Sequence, residues 1–192
     1  MGDTSPPQSS STMLPSPPSE MEAKYYYYGL HSKPVLVARS STTPWEAPTG
    51  PEADWPCKEL RVFGNHPLKE VWEGGLGLKF CGLLGSMKVQ WTSIDLLRIG
   101  EAEEYLTPPA RVVWIGVRPA SLSGHDGVDV VTKCHNLLVE HDIVDVDVEI
   151  RESLVWPDYG ELREPEGPRR APREPHKIKQ KRNQGWRRQR EA

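Results

Sequence analysis

The run Val144-Asp145-Val146-Asp147-Val148-Glu149-Ile150 alternates without error, so Asp145, Asp147 and Glu149 share one face of a strand. A row of carboxylates suggests cation binding. Same-face residues on a strand stand about 6.7 Å apart, at roughly 3.3 Å per residue, too far for one ion without donors from elsewhere. The reading of this row is therefore a solvated face, or charges that protect a sheet edge from mispairing.

Other candidate chemistry is weaker still. Ser121-Leu122-Ser123-Gly124-His125-Asp126 contains the residue types of a hydrolase triad. It lacks Gly-x-Ser-x-Gly, and Ser123 with Asp126 three positions on reads as a helix cap. Gly75-Leu76-Gly77 resembles part of a dinucleotide fingerprint, but no strand precedes it and the glycines lie inside a helical pattern. Cys134, His135 and His141 lack the paired short spacing of a zinc site, and Cys134 falls on an apolar stripe as a core thiol would. No motif calls for a cofactor. Near the C-terminus, Lys177, Lys179, Lys181 and Arg182 form one basic cluster, and Arg187, Arg188 and Arg190 a second. Such clusters suit nuclear import or contacts to a phosphate backbone, with Trp186 available to stack on a base. Basic runs of this kind more often form a solvated tail with no nucleic-acid role.

The elements that would position these residues follow from periodicity. Leu68, Val71, Trp72, Leu76, Phe80, Leu83, Leu84 and Met87 recur at helical spacing, with Asn65 as the expected cap and Pro67 in the first turn. The glycines at 74 and 75 predict a break there. Val89–Ile99 reads as a strand that changes phase near Ser93, the mark of a bulge. Arg111–Val117 is almost wholly apolar, as in a strand covered on both faces. A helix from Ser123 to His141 and the alternating strand complete an α-β-β-α-β order. The second helix can join the last strand in parallel to an earlier one.

Composition sets the boundaries. Of 192 residues 19 are Pro and 16 Gly, and the net charge of −3 hides an asymmetry. Residues 163–192 hold eleven Lys/Arg against four Asp/Glu, a net of +7, which leaves −10 on the rest. No run reaches the roughly 18 apolar residues of a membrane span. The Ser/Pro-rich start has no secretory pattern, and the three cysteines lack a Cys-x-x-Cys, so an intracellular location, cytoplasmic or nuclear, is expected. Residues 1–23 read as a disordered Ser/Pro-rich head, in which Pro15-Ser16-Pro17-Pro18 has the spacing of an SH3 ligand. Residues 24–59 read as a Tyr/Trp/Pro-rich arm with one short edge strand in Lys33–Arg39, Pro34 being tolerated at its start. Residues 60–155 read as the domain, and 156–192 as a disordered basic tail.

Several segments are distinctive as wording: KPVLVARSSTTPWEAPTGPEA, ELRVFGNHPLKEVW, MKVQWTSIDLLRIGE, VVWIGVRPASLSGHDGVDVVTKC and LLVEHDIVDVDVEIRESLV. The block 24–155 that contains them resembles the N-terminal part of a group of uncharacterised fungal proteins, longer members of which continue into a trypsin-like region. The resemblance implies no activity for the block itself. It ends at Leu154-Val155, so no catalytic residue carries over.

The expected fold is an α/β (α+β) two-layer sandwich, a small mixed sheet with two helices on one face. The expected function is a non-enzymatic protein–protein interaction or regulatory module. The alternatives are a nuclear, nucleic-acid-associated protein acting through its basic tail, and a protease-like relative without its catalytic residues. Neither membrane nor cofactor is expected; the protein partner and the oligomeric state stay open. Val112 and Trp114 point away from Val113, Ile115 and Val117, so both sheet faces need cover. Trp91, Val112 and Trp114 form the expected interaction face, covered by the Tyr25–Trp55 arm, a partner or a second copy. Truncating Trp114 to Ala is expected to cost about 3–5 kcal/mol in a denaturant melt, as large aromatic deletions in cores do; an unchanged midpoint would place this strand outside the core.

Overall fold

The apolar run 111–117 becomes the middle strand of a five-stranded sheet. A computed structural model describes residues 14–50, 54–102 and 108–153. In chain order the elements are α1 (Glu20–Tyr25), β1 (Leu36–Arg39), β2 (Lys58–Val62), α2 (Leu68–Val71), a π-helical turn (Trp72–Leu76), α3 (Gly77–Ser86), β3 (Trp91–Glu101), β4 (Ala110–Val117), α4 (Gly124–Val139) and β5 (Val146–Glu152). Strand order is β1-β5-β4-β3-β2. The β4–β5 pair is parallel and bridged by α4, and every other pair is antiparallel, so the sheet is mixed. The expected α-β-β-α-β unit is present, with a short helix and two further strands ahead of it. Among the described residues no helix is long and apolar enough to cross a membrane.

One sheet face carries the helices. Val113, Ile115 and Val117 of β4 and Val146, Val148 and Ile150 of β5 meet Leu68, Leu76, Phe80 and Leu84 from the α2–α3 segment and Val130, Val131, Cys134 and Leu138 from α4. The periodic stripe in the sequence is this buried face. The α2–α3 segment kinks where the glycines predict, because Gly75 takes a φ of 124° that other residues rarely adopt. Asn65 is not its cap. Pro67 holds that place without a side-chain hydrogen bond, and the ring of His66 accepts from the Leu68 N–H at 3.1 Å instead. Ser123 does cap α4: its hydroxyl accepts from the Asp126 N–H at 3.1 Å and donates to the Asp126 carboxylate at 2.7 Å.

The N-terminal region is more ordered than its composition suggests. Ser19, within the segment expected to be a disordered head, caps α1 by accepting from the Glu22 N–H, and Glu22 then pairs with Arg39 of β1. Pro17 and Pro18 lie beside Gly124 at the start of α4, so part of the SH3-like motif packs within the chain. Local capping and a long-range ion pair supply order that residue composition does not register. The edge strand expected within 33–39 exists as β1 and pairs with β5. The end of the arm contributes β2, which pairs with β3 on the other side of the sheet. Residues 1–13 and the basic tail lie outside the described residues.

The phase change near Ser93 is a bulge: Trp91 pairs with Val117 but Ser93 with Gly116. Thr92 and Ser93 therefore both lie over Gly116. A Cβ there would sit 2.7 Å from Thr92 Oγ1, 2.8 Å from Ser93 Oγ and 2.9 Å from Ser153 Cβ. Three contacts that close cannot all relax at once, so Gly116→Ala is expected to destabilise the domain by about 1–3 kcal/mol, the usual range for overpacking. A denaturant melt in which the variant matches the native chain would mean that the bulge yields.

Candidate functional site: the arm and its aromatic cleft

The helix-free face of the sheet is covered from within the chain. Val112 and Trp114 of β4, Ile99 of β3 and Leu36 of β1 pack with Tyr27 and Leu30 of the arm, and Tyr26 and Leu97 lie at the margin. Of the three coverings the sequence leaves open, the arm is the one seen. Val112 and Trp114 are accordingly buried and offer no surface to a partner. Trp91 does not belong with them, since the bulge turns it to the side of Val117, on the helix-bearing face. The expected interaction face is thus corrected on two counts.

The acidic row, expected to be solvated, is so at Asp145 but not at Glu149. Glu149 is 3 % exposed, not solvated. Strand alternation places it opposite Trp114 on the face the arm covers. The Tyr26 hydroxyl donates to Glu149 Oε1 and the Tyr27 hydroxyl to Oε2, each at 2.7 Å. Trp114 Nε1–H donates to the Tyr27 oxygen at 3.0 Å. Arg151, next on the same face, lies over the Trp114 ring at 3.6 Å and reaches Asp95 at 3.6 Å. Asp147 accepts from the Ser40 hydroxyl, and Asp145 meets His66 and Arg111. The three carboxylates therefore serve three separate contacts. Among the described residues no cluster of His, Cys, Asp and Glu converges to hold an ion.

Catalytic pairings fare no better on geometry. His66 and Asp145 form a dyad, but Nε2 of the imidazole faces the carboxylate at 3.1 Å and Nδ1 accepts from the Leu68 N–H. Neither nitrogen is left to take a proton from a nucleophile. The Ser123 hydroxyl is committed to Asp126. Burial pushes the Cys134 thiol up to about 12, far from a reactive thiolate. The basic residues at 177–190 lie outside the described residues.

A cleft of about 300 Å³ lies on the arm. Its wall is a ladder of rings: Trp55 stacks on Tyr25 at 4.3 Å and 16°, and Trp45 on Trp55 at 5.9 Å and 17°. Pro44, Pro48 and Pro56 complete the apolar lining, with Ser41, Thr43, Glu46, Lys58 and Glu101 as its polar groups. Arg39 shapes it, pairing with Glu22 of α1 while donating to the Ser41 carbonyl at 2.8 Å and the Thr43 carbonyl at 2.7 Å. The planar guanidinium thereby ties helix, strand and loop together.

The four-tyrosine run joins cleft to core. At the end of α1, Tyr25 and Tyr28, three positions apart, approach Trp55, whereas Tyr26 and Tyr27 reach Glu149. The sequence signal was the run itself, since four consecutive phenols demand partners for their hydroxyls once buried. Comparison with protein-family models, curated proteins and solved structures finds no match for this chain.

Burial raises the Glu149 carboxyl, an effect the tyrosyl hydrogen bonds and Arg39 oppose and Asp147 reinforces. A carboxyl raised in the folded state keeps its proton to higher pH than in the unfolded chain. Its contribution to stability is full below the ordinary value of 4.5 and is lost as pH rises through the folded value. Glu149→Gln removes that loss while retaining a carbonyl acceptor for Tyr27 and offering an N–H to Tyr26. The melting temperature of Glu149→Gln minus that of the native chain is expected to increase from acidic to neutral buffer. A pH-independent difference would contradict the burial of this group.

Proposed function

We propose that this chain is a non-enzymatic protein-interaction module, and that the arm cleft is where it holds a partner segment. One observation carries the reading: Trp55, half-buried between Tyr25 and Trp45, fronts a cleft of about 300 Å³ lined by prolines. Aromatic rings left half-covered on a surface gain by burial, and tryptophan and tyrosine dominate the energetics of interfaces. The proposed occupant is an extended, proline-containing segment of another protein. Such a segment enters with its backbone already near the polyproline II conformation, and its pyrrolidine rings fit flat aromatic faces. Its carbonyls, free of internal hydrogen bonds, match the hydroxyl donors Ser41 and Thr43 and the ammonium of Lys58.

Support for a binding role over catalysis comes from the same geometry, which pairs His66 and Ser123 away from any nucleophile–base arrangement. The test is an array of proline-rich peptides read by tryptophan fluorescence, repeated with Trp55→Ala. Saturable binding that weakens at least about tenfold in the variant is expected, a loss of roughly 1.4 kcal/mol. Binding that is absent across the array, or indifferent to Trp55, would remove the cleft as the interaction site.

A further inference from the structure

Three arginines stand side by side on the sheet. Arg61 of β2 pairs with Arg98 of β3, and Arg98 pairs with Arg111 of β4. Residues in register on neighbouring strands lie about 5 Å apart with their side chains on one face, so the three stems start within roughly 10 Å of one another. Alternation puts the row on the helix-bearing face, in step with Leu96 and Val113. Like charges directly opposite each other destabilise a sheet. Here that opposition occurs twice in succession.

Carboxylates answer the charge only at the ends of the row. Arg61 pairs with Glu59, and Arg111 Nη1 with Asp145 at 3.2 Å. The two acids are 39 % and 55 % exposed, so these are surface pairs of small net worth. Arg111 Nε is buried with no acceptor, which leaves Asp145 as the hydrogen-bonded partner of that guanidinium among the described residues. The central Arg98 has no carboxylate partner among the described residues; its Nε donates to the Val62 carbonyl at 2.9 Å. Gly64, where a Cβ would lie 4.0 Å from Arg98 Cζ and Nη2, puts no side chain over this group. All three arginines are half-buried, so water screens their mutual repulsion less than it would on an open surface.

We propose that the row is a binding site for a phosphate group of a small soluble ligand. Phosphate supplies what the row lacks. Its oxygens point in several directions and can accept from a guanidinium on each side, whereas one carboxylate offers two oxygens in a single plane. A shared dianion turns repulsion among three cations into attraction to a common centre. The row shares no residue with the arm cleft, and this inference is independent of the function proposed above.

The test titrates the full chain with millimolar pyrophosphate, with sodium chloride holding the ionic strength constant. Binding is read by thermal melting and by the amide and arginine Nε–H signals in NMR. Citrate, a carboxylate anion of similar charge, forms the parallel arm. Saturable shifts at residues 61, 98 and 111 are expected, with a rise in melting temperature that neither citrate nor sodium chloride reproduces. Arg98→Gln, which removes the central charge, is expected to weaken binding at least about tenfold with circular dichroism unchanged. Should that variant fail to fold, Arg61→Gln at the end of the row is expected to weaken binding in the same direction. The absence of shifts at these three residues overturns the inference. So does binding that the folded variant leaves intact, because the anion would then sit on other basic residues, those of 177–190 included. Citrate binding as tightly as pyrophosphate also overturns it, since the row would then select charge and not phosphate.

Discussion

Glu149 sits in the middle of a sheet face from which water is excluded, and its presence there is tolerated because two tyrosyl hydroxyls donate to its two oxygens. A buried carboxylate without those donors would carry a large desolvation penalty, and the tyrosines without it would leave hydroxyls unpaired. Each side thus requires the other. Tyr27 extends the arrangement by accepting from Trp114, so the indole, the phenol and the acid form one connected chain across the layer. The arm is held by this polar contact together with the apolar packing of Leu30, Leu36, Ile99 and Val112.

That clamp reaches the surface through adjacent residues. Tyr26 belongs both to the carboxylate and to the lining of the cleft, and its ring lies near Arg39 and Lys58. Tyr25, one position before it, is stacked on Trp55. A helix of six residues is too short to be stable alone. Its orientation, and with it the ring ladder of the cleft, comes from what its last turn grips. The site and the second core are accordingly one mechanical unit, built by a run of four like residues that divide their attention between inside and outside.

Periodic elements were legible in the sequence. The stripe from Leu68 to Met87, the apolar β4, the capped α4 and the alternating β5 follow from local pattern, and the structure contains all four. Gly74–Gly75 and Ser93 also announced the kink and the bulge, because both depend on backbone chemistry near the residue itself. What local pattern missed was long-range. The bulge was visible, yet its effect on Trp91 depends on the register against Val117. The acidic row read as solvated because nothing within the strand reveals that tyrosines 122 and 123 residues away cover one of its members. Likewise, β1 and β2 are too short to stand out by alternation, and exist because longer strands offer them an edge. The cleft is not legible in the arm's tryptophans and prolines, because their spacing follows neither a helical nor a strand period.

Placing β1 against β5 has a consequence for how the chain is made. Of the described strands, the first to leave the ribosome pairs with the last, Leu36 meeting Arg151, and β5 is also the strand that carries Glu149. Until it emerges, the aromatic arm has neither its hydrogen-bonding partner nor the edge on which β1 lies. Contacts between residues so far apart in sequence are slow to form, because the intervening loop must close first. During synthesis the tyrosines and tryptophans therefore wait in solvent, and the interval in which they are exposed to other hydrophobic chains is set by the time taken to translate almost the whole domain.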